Sequence, residues 1–267
     1  MNREEWKMEP LVDVSIVKDH IAIVTLQRAS AANSFSLEML DALNEQLDRI
    51  QHDESIFCTI ITGEGHKAFC AGADLKERKD MNDDQVLQTV AKIGNTITKV
   101  ENLRSPVIAA LNGVALGGGL ELALACDIRY AVDSASMGLT ETSLAIIPGA
   151  GGTQRLPRII GRAAAKRLIF TAERISATKA LEIGLLEDVF EEGFLMAEAL
   201  KTAEAICKNG PLAVALSKEA INRGMDAPIK EALEIERNLY KETLHTEDRA
   251  EGLVAFSEKR TPQYRGK

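Results

Sequence analysis

The chain has 267 residues, 45% hydrophobic content and a formal net charge of -8. That length and apolar share can bury a full core, as one large domain or as one domain with a smaller appendage. The acidic balance argues against nonspecific nucleic-acid binding and against docking on anionic membranes.

Val12 to Val17 mostly alternates apolar and polar residues, and Ile21 to Leu26 follows the polar break Lys18-Asp19-His20, so a β-hairpin is predicted. Arg28 to Phe35 reads as a small, polar, alanine-bearing loop. Leu37, Leu40, Leu43, Leu47 and Ile50 fall on one helical face with Ser36 as N-cap. Thr59 to Thr62 is a short buried strand closed by Gly63-Glu64-Gly65, and a polar helix is expected from about Asp83 to Glu101. Pro106 to Leu111 is another strand, with proline at its entry, where a missing N–H does no harm. Leu116 to Ala125 opens on glycines and continues as a helix, and Ile128 to Ala131 is a strand. The alternation of strand, turn and helix predicts an α/β core. After Gly161 the strands thin out, and helices are expected at Ala163 to Phe170, Ala177 to Glu182, Leu195 to Cys207, Leu212 to Met225 and Ile229 to Leu244.

The cysteines Cys58, Cys70, Cys126 and Cys207 are widely spaced with no Cys-x-x-Cys pair, so neither a zinc site nor a disulfide framework is indicated. Reduced thiols are expected, with Cys70 a small apolar filler and not a nucleophile. The charged start Met1-Asn2-Arg3-Glu4-Glu5-Trp6 has no apolar stretch of a secretory leader, and no segment approaches the ~20 apolar residues of a membrane span. A soluble, cytoplasmic protein is expected.

Two carboxylates follow glycine-rich turns. Glu121 stands two residues past Gly117-Gly118-Gly119, and Glu141 follows Met137-Gly138-Leu139. A second small-residue loop, Phe69-Cys70-Ala71-Gly72-Ala73-Asp74, lies upstream. Glycines that open a helix leave free N–H groups at the positive end of its dipole, and no Cβ blocks an approaching oxygen. Each feature alone also reads blandly: the glycines as a tight turn, Asp74 as an N-cap, Glu121 as a dipole-favoured surface residue. Together they suggest acid/base chemistry beside an oxyanion site, at an activated carbonyl compound. If the two carboxylates share one pocket they cannot both ionise easily, so one pKa should rise. Pro148 to Leu156 is glycine-rich but lacks the Gly-Lys-Ser/Thr ending of a phosphate loop, and reads as a turn and helix start beside the pocket.

In this order, these pieces resemble the enoyl-CoA hydratase/isomerase (crotonase) family. Ala68 to Glu77 is similar to its first oxyanion loop, Asn112 to Ala123 to its second, and Pro148-Gly149-Ala150-Gly151-Gly152-Thr153-Gln154-Arg155-Leu156 to the run that follows. The resemblance covers essentially the whole chain. It implies an α/β fold, a crotonase-like spiral of repeated ββα units over residues 1–200, with a helical C-terminal oligomerisation region over 201–267 that makes a homotrimer or a dimer of trimers. It implies an acyl-CoA thioester substrate, with coenzyme A as part of that substrate, and neither a metal nor any further cofactor. Ala73 and Gly118 would supply the two oxyanion N–H groups, and both hydratase glutamates are present as Glu121 and Glu141. The expected reaction is syn hydration of an enoyl-CoA, with Glu121 as base and Glu141 as acid. The rivals are an isomerase in the same pocket, an RNA-binding protein and a purely structural oligomer.

The resemblance further assigns Ala71, Gly72, Asp74, Leu75 and Gly117 to the substrate. CoA would run along Arg28 to Asn33 with its adenine near Ala31, and Lys259 would contact a CoA phosphate across a subunit boundary. Arg260 and Arg265 read as a solvated basic tail. Within the family, Phe69 to Arg78, Ala115 to Arg129, Leu144 to Arg158 and Asp248 to Phe256 are similar to the 3-methylglutaconyl-CoA hydratase branch, which implies a role in leucine breakdown. An RNA-binding member of that branch has a lysine-rich helix after its first hairpin. Here Glu38, Asp41, Glu45, Asp48, Asp53 and Glu54 face only Arg49, a balance of -5 that repels phosphates, so RNA binding is not expected.

Overall fold

The structure is a computed structural model, and it describes residues 10–267. The charged start Met1 to Trp6 lies outside the described residues. The expected hairpin forms as β1 (Val12–Val17) and β2 (Ile21–Leu26), paired antiparallel. Three strand pairs follow in sequence: β3 (Cys58–Gly63) with β4 (Ala68–Cys70), β5 (Val107–Leu111) with β6 (Val114–Leu116), and β7 (Ile128–Val132) with β8 (Ser136–Gly138). Two further strands are β9 (Ile175–Ser176) and β10 (Asp188–Phe190).

The first strand of each pair enters a six-stranded sheet of order β1-β2-β3-β5-β7-β10. The second enters a four-stranded sheet of order β4-β6-β8-β9. All pairings are parallel except β1 with β2 and β8 with β9. One turn of the chain therefore lays a strand in each sheet and then a helix, which is the repeated ββα spiral. The first turn is abbreviated. After β2, the small sheet receives only Phe35, bridged in parallel to Ala73. Then α1 (Leu37–His52) begins on the Ser36 cap, whose hydroxyl accepts from Met39 N at 3.1 Å.

The face α1 buries is Met39, Leu40, Leu43, Leu47 and Ile50. Leu37, expected on that face, is exposed at the first helical position, and Met39 is the buried residue there. Each fully buried apolar side chain of this kind contributes about 1.5–3 kcal/mol. The acidic outer face is partly neutralised, because Lys92 and Lys99 of α3 (Asp83–Glu101) pair with Asp41 and Asp48. Between them lies the one-turn α2 (Leu75–Arg78), capped by Asp74, which accepts from Lys76 N at 2.9 Å.

Helix α4 (Gly118–Ala125) follows β6 and is buried on nearly every side, as its run Leu-Glu-Leu-Ala-Leu-Ala requires. Then come α5 (Gly152–Ile160), α6 (Arg162–Thr171), α7 (Ala177–Glu182) and α8 (Leu195–Cys207). Helix α8 spans position 200, and its Leu195, Ala199 and Ala203 are buried against the large sheet. The chain ends in α9 (Pro211–Met225), α10 (Ile229–Glu242) and α11 (Glu247–Glu258). Among the described residues, no helix is long and apolar enough to cross a membrane.

Candidate active site

Two backbone N–H groups are left over by the small sheet. Phe35 N donates to Gly72 O at 2.8 Å, and Asp74 N donates to Phe35 O at 3.0 Å. In a parallel bridge these bonds use the peptides on either side of Ala73, so the Ala73 N–H points the other way. Gly117 N donates to Gly138 O at 2.9 Å, and the next N–H, that of Gly118, faces the opposite side as the first free donor of α4. Neither Ala73 N nor Gly118 N has an acceptor among the described residues.

The two loops touch through glycine. Gly72 has φ +88°, and a Cβ there would lie 2.8 Å from Leu116 O and 3.0 Å from Gly118 N. Only a residue without a side chain lets the first loop approach the second so closely. Cys70 is buried beneath this contact, and burial pushes its thiol up to about 12, so it is an apolar filler at neutral pH.

Both donors open on a cavity of about 710 Å³ that also holds Glu121 and Glu141. Glu121, in the first turn of α4, is 2% exposed. Its Oε1 accepts from Ala150 N at 2.9 Å and from Gly152 N at 2.8 Å. Burial raises its pKa, while these two N–H groups and the Arg155 charge oppose the rise. Arg155 in turn braces the clamp: its guanidinium donates to Ala150 O at 3.0 Å and grips Glu101 with two bonds of 3.0 and 2.6 Å.

Glu141 stands on a one-turn 3-10 helix, Glu141–Leu144, and its buried Oε2 has no hydrogen-bond partner. Burial lifts its carboxyl to about 7, with the nearby Glu121 adding to the rise and Arg78 opposing it. A Cβ on Gly117 would come 3.0 Å from Glu141 Oε1, and one on Gly152 would come 3.0 Å from Glu121 Oε1. Each carboxylate thus rests against a glycine. The two environments differ in kind. Glu121 has donors suited to its anion, and Glu141 has none for the buried oxygen, so Glu141 is the carboxyl that holds a proton near neutrality.

Of the residues expected at the substrate, Ala71, Gly72, Leu75 and Gly117 line this cavity with Ala73 and Gly118. Arg28, Ala31, Asp74 and Lys259 do not. Arg28 is bound to Asp74 at 2.7 Å and to Ser34, which ties the loop after β2 to the cap of α2. Ala31 lies in the 3-10 turn Ala29–Ala31. Lys259 is an exposed left-handed C-cap of α11 with φ 55°. Among the described residues, no group of three His, Cys, Asp or Glu could hold a metal.

Residues 17–267 match the model of the enoyl-CoA hydratase/isomerase family. The chain belongs to that family. It is similar to a crystal structure of an enoyl-CoA hydratase from Bacillus anthracis, with TM-score 0.95, 52% identity and coverage of 96% of this chain and 100% of that one. It is 47% identical over 250 residues to the mitochondrial methylglutaconyl-CoA hydratase of Rattus norvegicus, across 92% of this chain and 79% of the relative. It is 45% identical over 241 residues to the short-chain-enoyl-CoA hydratase of Clostridium acetobutylicum, across 90% of this chain and 92% of the relative. The chain is thus an enzyme of the hydratase/isomerase family, whose substrates are acyl-CoA thioesters, and the relatives it resembles are named as hydratases, which are hydro-lyases.

What the sequence reading of this family member missed is the clamp. Pro148 to Leu156 was expected as a turn beside the pocket; its Ala150 and Gly152 N–H groups hold the Glu121 carboxylate. Ile146, Ile147 and Gly149 also form cavity wall. The only available signal was a Gly-rich segment with no phosphate-loop ending, which does not say what its N–H groups face.

Proposed function

We propose that this chain adds water across the 2,3-double bond of an enoyl-CoA thioester to give the 3-hydroxyacyl-CoA. One observation carries this reading: Glu121 and Glu141 share a cavity on which the unpartnered Ala73 and Gly118 N–H groups open. The thioester oxygen would lie between the two N–H groups, where negative charge grows as C3 is attacked. Glu121, held toward its anion by two N–H groups, takes a proton from water as the water oxygen bonds to C3. Glu141 gives its proton to C2. With both carboxyls acting from one side of the bound double bond, hydroxyl and hydrogen arrive on the same face. The two carboxyls and two N–H groups supply every group this step needs, so the reading calls for no metal and no cofactor beyond the CoA of the substrate.

CoA would run past the Arg28–Asn33 loop, with its adenine near Ala31 and Ala71 and a phosphate on Lys259 of a neighbouring copy. A homotrimer, or a dimer of trimers, is supported by the apolar side chains that α9 to α11 leave uncovered, among them Ile221, Met225, Ile229, Leu253 and Phe256, the last 87% exposed. Light scattering should give three or six times 29.0 kDa, and a monomeric mass would remove the neighbouring Lys259 from the site.

The rat relative's name supports 3-methylglutaconyl-CoA as the substrate, and with it the place in leucine breakdown that the family resemblance implies. The test is an assay of crotonyl-CoA, 3-methylglutaconyl-CoA and a 3-enoyl-CoA side by side. Hydration with preference for 3-methylglutaconyl-CoA is expected. Preference for crotonyl-CoA would sink the leucine reading and leave the hydratase reading standing, and turnover of the 3-enoyl-CoA alone would make the chain an isomerase.

A further inference from the structure

Gly149 and Ala150 line the cavity that holds the two glutamates, and they also line a second cleft of about 680 Å³. Arg155 and Glu101 line only the second cleft. The loop is thus a partition, with the two carboxyls on one side and Arg155 on the other. Three successive peptides cross it. The outer two carry the Ala150 and Gly152 N–H groups, which donate to the same Glu121 oxygen at 2.9 and 2.8 Å. The middle one carries the Ala150 carbonyl, which accepts from Arg155 Nη1 at 3.0 Å. Gly151, with φ +106°, makes room for that guanidinium, because a Cβ there would overlap Nη1. The rest of the fork is anchored on α3. Nε and Nη2 donate to Glu101 at 3.0 and 2.6 Å, and Nη2 reaches Thr98 Oγ1 at 3.4 Å.

We infer that Arg155 is a positioning residue of this active site: by holding the middle peptide it fixes the direction of the two flanking N–H groups, and so the place of the Glu121 carboxylate. This rests on the hydratase reading above, in which Glu121 takes a proton from water. Peptides are rigid planes joined at Cα, so a middle carbonyl held from behind leaves its neighbours little freedom to turn. Released, the Ala150 carbonyl can rotate to water in the second cleft, and a donor to Glu121 turns with it. The carboxylate then stands off line for the attacking water, and small misplacements of reacting groups lower rates steeply. Arginine suits the task because its planar fork spans a carbonyl and a carboxylate at once, which a single ammonium does not. Removing the fork strands no buried charge, since the Glu101 side chain is 36% exposed. The predicted loss is therefore one of placement and not of folding.

The test compares the wild type with Arg155→Ala and Arg155→Lys on crotonyl-CoA across pH, with melting curves alongside. In Arg155→Ala kcat should fall about ten- to a hundredfold with KM little changed, since Arg155 does not line the substrate cavity. The acid limb of the profile should move up in pH, because Glu121 loses donors to its anion. The other ionisable groups around it stay as they are: Glu141 on the 3-10 turn, Arg78 on α2, Arg174 ahead of β9, Cys70 on β4 and Glu101 on α3. The alkaline limb should accordingly remain near 7. A lower rate with both limbs in place and a lower melting point would make Arg155 merely structural and overturn the inference. Arg155→Lys keeps the charge and loses the fork, so it should stay impaired in kcat and acid limb. Wild-type behaviour there would show that charge alone suffices and would equally overturn it. Guanidinium chloride at about 50 mM, far below denaturing concentrations, should restore part of the rate of Arg155→Ala through the open cleft, and ammonium chloride should not. Equal restoration by both salts would again point to charge and against placement. Without turnover, the Glu121 carboxyl is followed by 13C NMR, with Glu121→Gln to assign it. Its titration should move up in both Arg155 variants, and an unmoved titration would overturn the inference. Failure of the wild type to hydrate any enoyl-CoA would defeat the hydratase reading, while this titration still decides the role of Arg155.

Discussion

Replacing Glu121 or Glu141 by Gln should lower kcat for enoyl-CoA hydration by about a hundred- to ten-thousandfold each, the range for a lost general base or acid. At 121 the substitution is conservative in geometry, since a Gln carbonyl oxygen can still accept from Ala150 N and Gly152 N. What it loses is the ability to take a proton from water. At 141 the lost function is proton donation to C2. The pH profile separates the roles. Glu141 titrates near 7, so wild-type kcat/KM should fall as pH rises through about 7 and that proton is lost, while the acid limb reports the ionisation of Glu121. The stability of Glu141→Gln runs the other way. Burial raises the folded-state pKa of Glu141 above its ordinary value of 4.5, so the folded protein holds that proton more tightly than the unfolded chain does. The stability this contributes is full below about 4.5 and is lost as pH rises through about 7. Gln removes that dependence, so the variant should melt no lower than the wild type at pH 8. Steady-state kinetics with circular-dichroism melting checks both parts. Near wild-type hydration by either folded variant would take that carboxyl out of the reaction.

Gly118→Pro should cost about a hundred- to a thousandfold in kcat, the usual effect of removing one oxyanion donor. Proline is tolerated at the first position of a helix, because the N–H it lacks has no partner within the helix. Gly118 occupies that position in α4, so the substitution deletes a donor and leaves the helix in place. The companion variant is Gly118→Ala. Its Cβ would meet the Phe35 ring at 3.5 Å, an ordinary contact, and its N–H is retained. It should lose far less than the proline variant. If the two variants showed the same rate, Gly118 N would not be a donor to the thioester oxygen.

Much of this was readable in the chain, for identifiable reasons. Helix α1 carries apolar residues at helical spacing behind a real cap, Ser36, and periodicity with a cap is what a sequence displays well. The hairpin declared itself by alternation in β1 and by the polar break before β2. Strands β4, β6 and β8 did not, because three residues are too few to show a period of two. They exist because neighbours in the small sheet accept their hydrogen bonds. The site divides the same way. Glu121 and Glu141 and the glycines beside them were visible as types in an order. Their convergence was not, nor was the grip of Ala150 and Gly152 on Glu121, since both join segments about thirty residues or fewer apart only through the turn of the spiral.

The oxyanion donors at Ala73 and Gly118 are main-chain groups, placed by the hydrogen bonds of Phe35 and Gly117 to their neighbours. Side-chain substitutions at these positions can disturb their placement, but only proline deletes a donor. Drift along a lineage therefore preserves the capacity to stabilise a thioester enolate as long as the small sheet forms. The carboxyls and the cavity wall enjoy no such protection, and one base change can alter either. New reactions on this scaffold should accordingly arise by exchanging Glu121, Glu141 or wall residues such as Arg78 around a thioester cradle that stays the same.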